Sequence, residues 1–115
     1  MNIGKETEYV EFKQSTAELN KGIISIASIL NKHSEGTLYF GVKDNGDVIG
    51  QEIGKDTIRD ISRAISGRIK PDIWYEINRR DSDDGKSFIE VCFSGNNASS
   101  LPRSSFAVAT SSGTS

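Results

Sequence analysis

Three carboxylates stand where they could hold a metal ion. Glu6 and Glu11 flank a short extended segment, and Asp44 lies with Asp47 in a turn further along the chain. Carboxylate oxygens are the ligands that Mg²⁺ and Mn²⁺ prefer. A straight strand would hold Glu6 and Glu11 about 17 Å apart, so the chain must bend between them if both serve one site. A solvated strand edge followed by an Asp-Gly turn explains the same residues without a metal.

Basic side chains form a second candidate set. Arg59, Arg63 and Lys70 recur at spacings of four and seven in a predicted helix, so they share one face of it. Such a face can follow a phosphate backbone. An ordinary solvated helix face is the alternative, since Asp56 and Asp60 could pair with the arginines. The other candidates for nucleic-acid binding are Lys13, Lys43, Arg79 and Arg80.

Few other reactive groups are available. His33 is the sole histidine and Cys92 the sole cysteine, so the sequence has no histidine-based triad and no internal disulfide. Cys92 lies in an apolar strand pattern, where a buried structural thiol is expected. Trp74, Tyr75 and Tyr39 could stack on exposed bases, but packing in the core or at an interface is the expected role.

Composition narrows the class of protein. The 115 residues fit one domain, and 26% charged with 35% hydrophobic residues is typical of a globular chain. The apolar cluster at residues 23–30 is too short to span a membrane, and no signal peptide is visible. We therefore expect a cytoplasmic protein with no membrane partner. A net charge of −2 argues against strong nonspecific nucleic-acid binding unless the basic groups collect on one face.

The chain begins with a predicted strand and helix. Tyr, Val and Phe favour a strand at residues 8–13. Ser15 stands three residues before Glu18, which is the capping-box spacing at a helix start. Apolar residues at helical spacing follow, and the helix should end near residues 31–33.

A strand and a hairpin follow this helix. Gly36 could adopt a left-handed turn after the helix. Residues 37–42 (TLYFGV) predict a central strand that is buried on both faces. The sequence DNGD at residues 44–47 is a strong turn signal, and residues 48–49 would return as the second arm of a hairpin.

The rest of the chain predicts a second helix and more strands. The helix fits residues 56–70, where isoleucines form a buried stripe and Pro71 stops it. Strands fit residues 72–78 and 86–93, and residues 106–109 could add one last short strand. The order β-α-β-β-α-β-β predicts an α+β fold, with one mixed β-sheet and two helices packed on it.

Three segments together resemble the AlbA-like DNA-binding domain of the Schlafen superfamily. Residues 6–13 (ETEYVEFK) are similar to the family's E-x-x-x-x-E-F-K opening. Residues 36–42 (GTLYFGV), after the helix that ends at Asn31, are similar to its glycine turn and central strand. Residues 44–50 (DNGDVIG) are similar to its D-x-G-x-(I/V)-x-G hairpin. The chain departs from the family at residues 104–110 (SSFAVAT), where the family tends to have a strand rich in Tyr and Arg.

The resemblance implies a nucleic-acid-binding domain, with DNA the expected partner, of a bacterial transcriptional regulator or a protein with a divergent AAA region. Family members often self-associate, and Trp74 and Tyr75 could contribute to a homo-oligomer. The domain would occupy residues 1–93, and residues 94–115 would form a serine-rich tail or a truncated last strand. Relatives often carry a C-terminal ATP-binding or helix-turn-helix region, so we expect a further domain in the full-length protein.

Two other functions stay open. In some Schlafen relatives, carboxylates at the positions of Glu6, Glu11 and Asp44 form a metal-dependent ribonuclease centre. The resemblance therefore allows an endonuclease in which a Mg²⁺ or Mn²⁺ ion activates water against a phosphodiester. The other alternative is a protein-interaction or oligomerisation domain that binds no nucleic acid. No cofactor is expected apart from the metal ion of the nuclease.

Overall fold

The structure, a computed structural model, describes residues 1–95 and 106–109 of the chain. In chain order these residues form β1 (Val10–Lys13), α1 (Leu19–Leu30), β2 (Glu35–Phe40), α2 (Lys55–Arg68), β3 (Ile69–Lys70), β4 (Trp74–Asp81), β5 (Ser87–Ser94) and β6 (Ala107–Val108). The predicted α+β class, a mixed sheet with two helices, is confirmed.

The main sheet has four strands in the order β1-β2-β5-β4. β1 runs parallel to β2, while β2 with β5 and β5 with β4 are antiparallel. A parallel pair needs a crossover connection, and α1 supplies it between β1 and β2. β3 and β6 pair separately as a small antiparallel sheet that periodicity did not predict.

The chain becomes helical after Ser15, as predicted, but first as a 3₁₀ turn, and α1 itself begins at Leu19. The Ser15 hydroxyl accepts a hydrogen bond from the Ala17 amide, and a 3₁₀ turn at Thr16–Glu18 leads into α1. α1 buries Ile23, Ile26 and other apolar residues along one side. This side packs on the main sheet and gives the core most of its helical surface.

The second helix ends two residues before the predicted boundary. α2 stops at Arg68, and Ile69 and Lys70 are already extended in β3. Two causes act together: a residue that precedes proline disfavours helical geometry, and Ile69 pairs with Val108 across the small sheet. Lys70 therefore belongs to β3, and the prediction that it lies on the helix with Arg59 and Arg63 is wrong.

The predicted hairpin forms its turn but almost no second strand. Val42 and Val48 make an isolated antiparallel bridge, while Asp47 bridges to Asn2 at the N-terminus. Gly41, at φ +96°, bends the chain out of β2, and its carbonyl accepts from the Ile49 amide. Residues 47–49 consequently pair both with the N-terminal segment and with the residues that follow β2.

Strand alternation gives the main sheet two different sides. Ile89, Val91 and Phe93 of β5 are buried together with Ile23 of α1 and Ile65 of α2. We refer to this side as the helical face. Successive residues of a strand point to opposite faces, so the alternate positions of each strand lie on the other side, which we refer to as the open face.

The open face is covered at one end. Phe12, Phe88, Val42 and Val48 form a second buried cluster there, with Ile3 of the N-terminal segment packed against it. β2 lies between β1 and β5, so its predicted central position is confirmed, but the predicted burial on both faces is wrong: Leu38 and Phe40 are fully buried on the helical face, whereas Thr37 and Tyr39 are half-buried.

Neither α1 nor α2 has the length and apolar character that a membrane-spanning helix requires, and the described residues contain no other helix that has them.

Candidate nucleic-acid interface

The chain does bend between the first two predicted metal ligands. Thr7 and Val10 form a local bridge, and this turn carries Glu6 back beside β1. Glu6 Oε2 accepts a hydrogen bond of 2.9 Å from the Phe12 amide. β1 is an edge strand, and a strand of another molecule could pair with its free backbone groups. By accepting from the Phe12 N–H, Glu6 removes one of these donors. This contact gives Glu6 a structural role.

Glu11 and Lys13 form an ion pair with each other. Their positions in β1 pair with Leu38 and Phe40, which places both on the helical face. Lys13 Nζ lies 3.2 Å from Glu11 Oε2, and the lysine side chain is only 14% exposed. Lys13 is thus poorly placed to reach a phosphate unless it leaves Glu11.

Asp44 and Asp47 lie in the exposed turn after β2. Asp47 accepts from the Asn2 amide at 2.8 Å, and this hydrogen bond lowers the pKa of the Asp47 carboxyl. In residues 1–95 and 106–109 no three His, Cys, Asp or Glu side chains form a group that could hold a metal ion. The geometry therefore lends no support to a metal site at Glu6, Glu11 and Asp44, and the nuclease stays a prediction.

Three basic side chains of α2 form a row on its exposed side. Lys55, Arg59 and Arg63 follow at intervals of four residues, and all three are exposed. At 1.5 Å per residue the row spans about 12 Å. Arg59 pairs with Asp56, whereas Arg63 contacts no acidic group among the described residues. The buried Ile61 and Ile65 lie toward the sheet.

Lys70 rejoins this row from β3. Its Nζ lies 3.3 Å from the Ser66 carbonyl in the last turn of α2 and 3.3 Å from Asp72. The ammonium thus sits one turn beyond Arg63, although its backbone is not helical. We refer to Lys55, Arg59, Arg63 and Lys70 as the α2 cation row. The carboxylates of Asp56 and Asp72 pair with Arg59 and Lys70, which lowers the net positive charge of the α2 cation row.

The remaining predicted cations lie elsewhere. Arg79 and Arg80 are neighbours in β4 and point to opposite faces. Arg80 reaches Glu90 at 2.9 Å on the open face, and Arg79 reaches Asp81 at 3.5 Å. Lys43 is exposed in the turn after β2. The seven predicted cations therefore do not converge, and the structure brings Arg59, Arg63 and Lys70 together but not Lys13, Lys43, Arg79 and Arg80.

Two further features of the structure were not predicted from the sequence. Arg68 binds the Asn20 side chain and the Ala109 carbonyl, so it ties α2 to α1 and to the end of β6. The open face also holds a groove of about 600 Å³ that includes Trp74 and Cys92. Strand alternation relates residues within one strand, so only the register of β4 with β5 places Trp74 and Cys92 on one face, and only the strand order brings β1 and β2 beside them.

The family follows from the matched length of the chain. A model of the family described as Schlafen, AlbA_2 matches residues 6–109. The chain belongs to the Schlafen AlbA_2 family. No curated protein matches the sequence. The matched region of this Schlafen AlbA_2 domain contains all the candidate side chains above and extends through β6, so the short strand at Ala107–Val108 is part of it.

Proposed function

We propose that this Schlafen AlbA_2 domain binds nucleic acid, preferably duplex DNA, through the phosphates. Membership of the family is consistent with nucleic-acid binding. The observation that carries the proposal is Arg63, an exposed guanidinium without an acidic partner among the described residues, set between Arg59 and Lys70 on one side of α2. The resemblance to domains of bacterial transcriptional regulators supports DNA and a regulatory role.

A row of this kind positions a protein on a backbone without reading bases. Arginine and lysine contacts to phosphate fix register and orientation, and they carry no sequence information themselves. Arg59 would exchange Asp56 for a phosphate, and an exposed ion pair of this type is worth only about 0–1 kcal/mol. We therefore expect weak sequence specificity and strong dependence on salt.

The test is duplex binding at several salt concentrations. If three members of the row each neutralise one phosphate, the logarithm of the binding constant should fall with the logarithm of salt with a slope of about −3. Arg63→Gln should weaken binding to all sequences alike and reduce the magnitude of that slope by about 1. Fluorescence anisotropy of a labelled duplex measures both quantities.

Arg80→Gln is the matched control, because it removes the same charge from the open face, away from α2. It should leave the slope unchanged. An equal loss in both variants would show that net charge, and not the α2 cation row, governs binding. Absence of duplex binding at low salt would disprove the proposed function itself.

A further inference from the structure

The open face continues into a groove where the ends of four strands meet. The register places Glu35, Ser94 and Trp74 in one row across β2, β5 and β4. Val10, Thr37, Cys92 and Glu76 form the next row across all four strands. Neighbouring strands lie about 4.8 Å apart, so each row is about 10–15 Å long.

Two aromatic side chains flank this groove with much of their surface exposed. Trp74 is 46% and Tyr9 51% exposed, and both line the groove. The Tyr9 ring meets the His33 ring edge-on, with 5.5 Å between centroids, so His33 supports its orientation. Exposed aromatic rings attract cations through the ring quadrupole.

Glu35 lines the groove, and Glu76 and Glu90 stand on the same face of the sheet. Glu35 and Glu76 are exposed on the open face and form no ion pair with any described residue. Glu90 and Glu8 do have basic partners, since Arg80 reaches Glu90 at 2.9 Å and Nε2 of the groove-lining His33 lies 3.2 Å from Glu8 Oε1. The lining residues of the groove include no lysine or arginine. The rim is therefore negative, which excludes phosphates and favours a cation.

The acidic groups on this face also affect the pKa values of the Cys92 thiol and the Tyr39 phenol. Burial raises the pKa of Cys92, and the carboxylates of Glu90 and Glu76 raise it further, while Arg80 acts in the opposite direction. Burial also raises the pKa of Tyr39 to about 12, again with help from Glu90. At both positions the acidic neighbours act more strongly than Arg80, so the immediate surroundings of Cys92 and Tyr39 are negative.

We propose that this groove binds the arginine or lysine side chains of a basic segment in a protein partner. A guanidinium or ammonium would lie against Trp74 and face the carboxylate of Glu35, while apolar stem carbons contact Val10 and Cys92. The groove's volume of about 600 Å³ holds one or two such side chains. The site is separate from the α2 cation row and does not depend on nucleic-acid binding.

Trp74, the single tryptophan of the chain, provides a direct signal for this test. The probe is a fluorescein-labelled, capped decapeptide with three arginines, compared with the same peptide carrying citrulline, which keeps the shape and removes the charge. We expect the arginine peptide to change Trp74 emission and to bind at least tenfold more tightly than the citrulline peptide. Equal binding of the two peptides would overturn the proposal.

Two variants with the same change in charge locate the site. Glu35→Gln should weaken binding of the arginine peptide about threefold to fivefold, as expected for an exposed ion pair. Glu52→Gln, in the exposed loop before α2, should leave it unchanged. An equal effect of both variants would overturn the proposal, because the peptide would then respond only to net charge.

Trp74→Leu completes the test by anisotropy of the labelled peptide and should weaken binding about threefold. Circular dichroism checks that each variant keeps the wild-type fold. The chain's size in solution is measured without peptide. A dimer that Trp74→Leu abolishes would also overturn the proposal, since a second copy would then occupy the groove.

Discussion

At the scale of single residues, the predicted metal ligands are held by other contacts. Glu6 accepts from the Phe12 amide, and Glu11 pairs with Lys13. Each contact satisfies a carboxylate within the protein. The same residue types would serve metal binding, phosphate binding or strand-edge protection, and their partners in the structure favour the last of these for Glu6.

The nuclease hypothesis has a direct test. For a domain that only binds nucleic acid, RNA and single-stranded DNA should stay intact in the presence of Mg²⁺ or Mn²⁺. Gel electrophoresis of the incubated nucleic acid measures this. Metal-dependent cleavage that Glu11→Gln abolishes, while Glu52→Gln does not, would establish the enzyme instead.

Tyr39 predicts a stability change at high pH. Burial and the hydrogen bond to Glu90 raise its pKa from 10.0 to about 12 in the folded protein. The unfolded chain loses this proton first as pH rises, so the contribution is complete below pH 10 and is lost by about pH 12. Urea unfolding should show wild type losing stability relative to Tyr39→Phe between pH 10 and about pH 12. Parallel curves across that range would contradict the shift.

At the scale of elements, Gly36 shows how a strand and a helix approach each other. It lies inside β2 without a positive φ, so the predicted left-handed turn after the helix is wrong. A Cβ at this position would lie 2.7 Å from Ile29 of α1 and 2.9 Å from the Phe93 ring of β5. Glycine is required there by packing across the sheet.

Gly36→Ala should therefore destabilise the fold. Both neighbours are buried, and overpacking of this kind costs about 1–3 kcal/mol of unfolding free energy, measurable by urea denaturation. Gly67→Ala in α2 is the control, because nothing lies within 4 Å of its added Cβ. It should stabilise the helix by about 0.5–1 kcal/mol. Similar unfolding free energies for both variants would contradict the packing argument.

β4 presents two neighbouring aromatic side chains to opposite faces of the sheet. Tyr75 points to the helical face, where its hydroxyl lies 2.7 Å from the Ser62 hydroxyl of α2. Trp74 points to the open face and lines the groove. The two aromatic neighbours therefore do not form one surface, and only Trp74 is available to a partner.

At the scale of the whole molecule, charge is separated across the sheet. α2 carries Lys55, Arg59 and Arg63 on the outer side of the helical layer, whereas Glu35 and Glu76 stand on the open face. A net charge of −2 averages over these two surfaces. An overall acidic chain can therefore present a basic row to phosphates and an acidic groove to a basic protein segment.

Local sequence patterns were enough to predict the main elements and the family. Periodicity located both helices and the long strands, and the ordered motifs at residues 6–50 identified the Schlafen AlbA_2 family that the match confirms. These features depend on neighbours a few positions apart, so a single sequence contains them. The capping residue Ser15 and the turn after β2 belong to the same class.

Which side chains meet depends on how the chain folds. Lys70 reaches α2 because Pro71 and the pairing of β3 with β6 end the helix early. Glu6 returns to Phe12 through a bend that no periodicity encodes. The groove exists because the order β1-β2-β5-β4 places Glu35 and Trp74 in one row. Ile69 and Val108, like Glu35 and Trp74, are far apart in the chain, and local patterns do not specify the long-range strand pairing that brings them together.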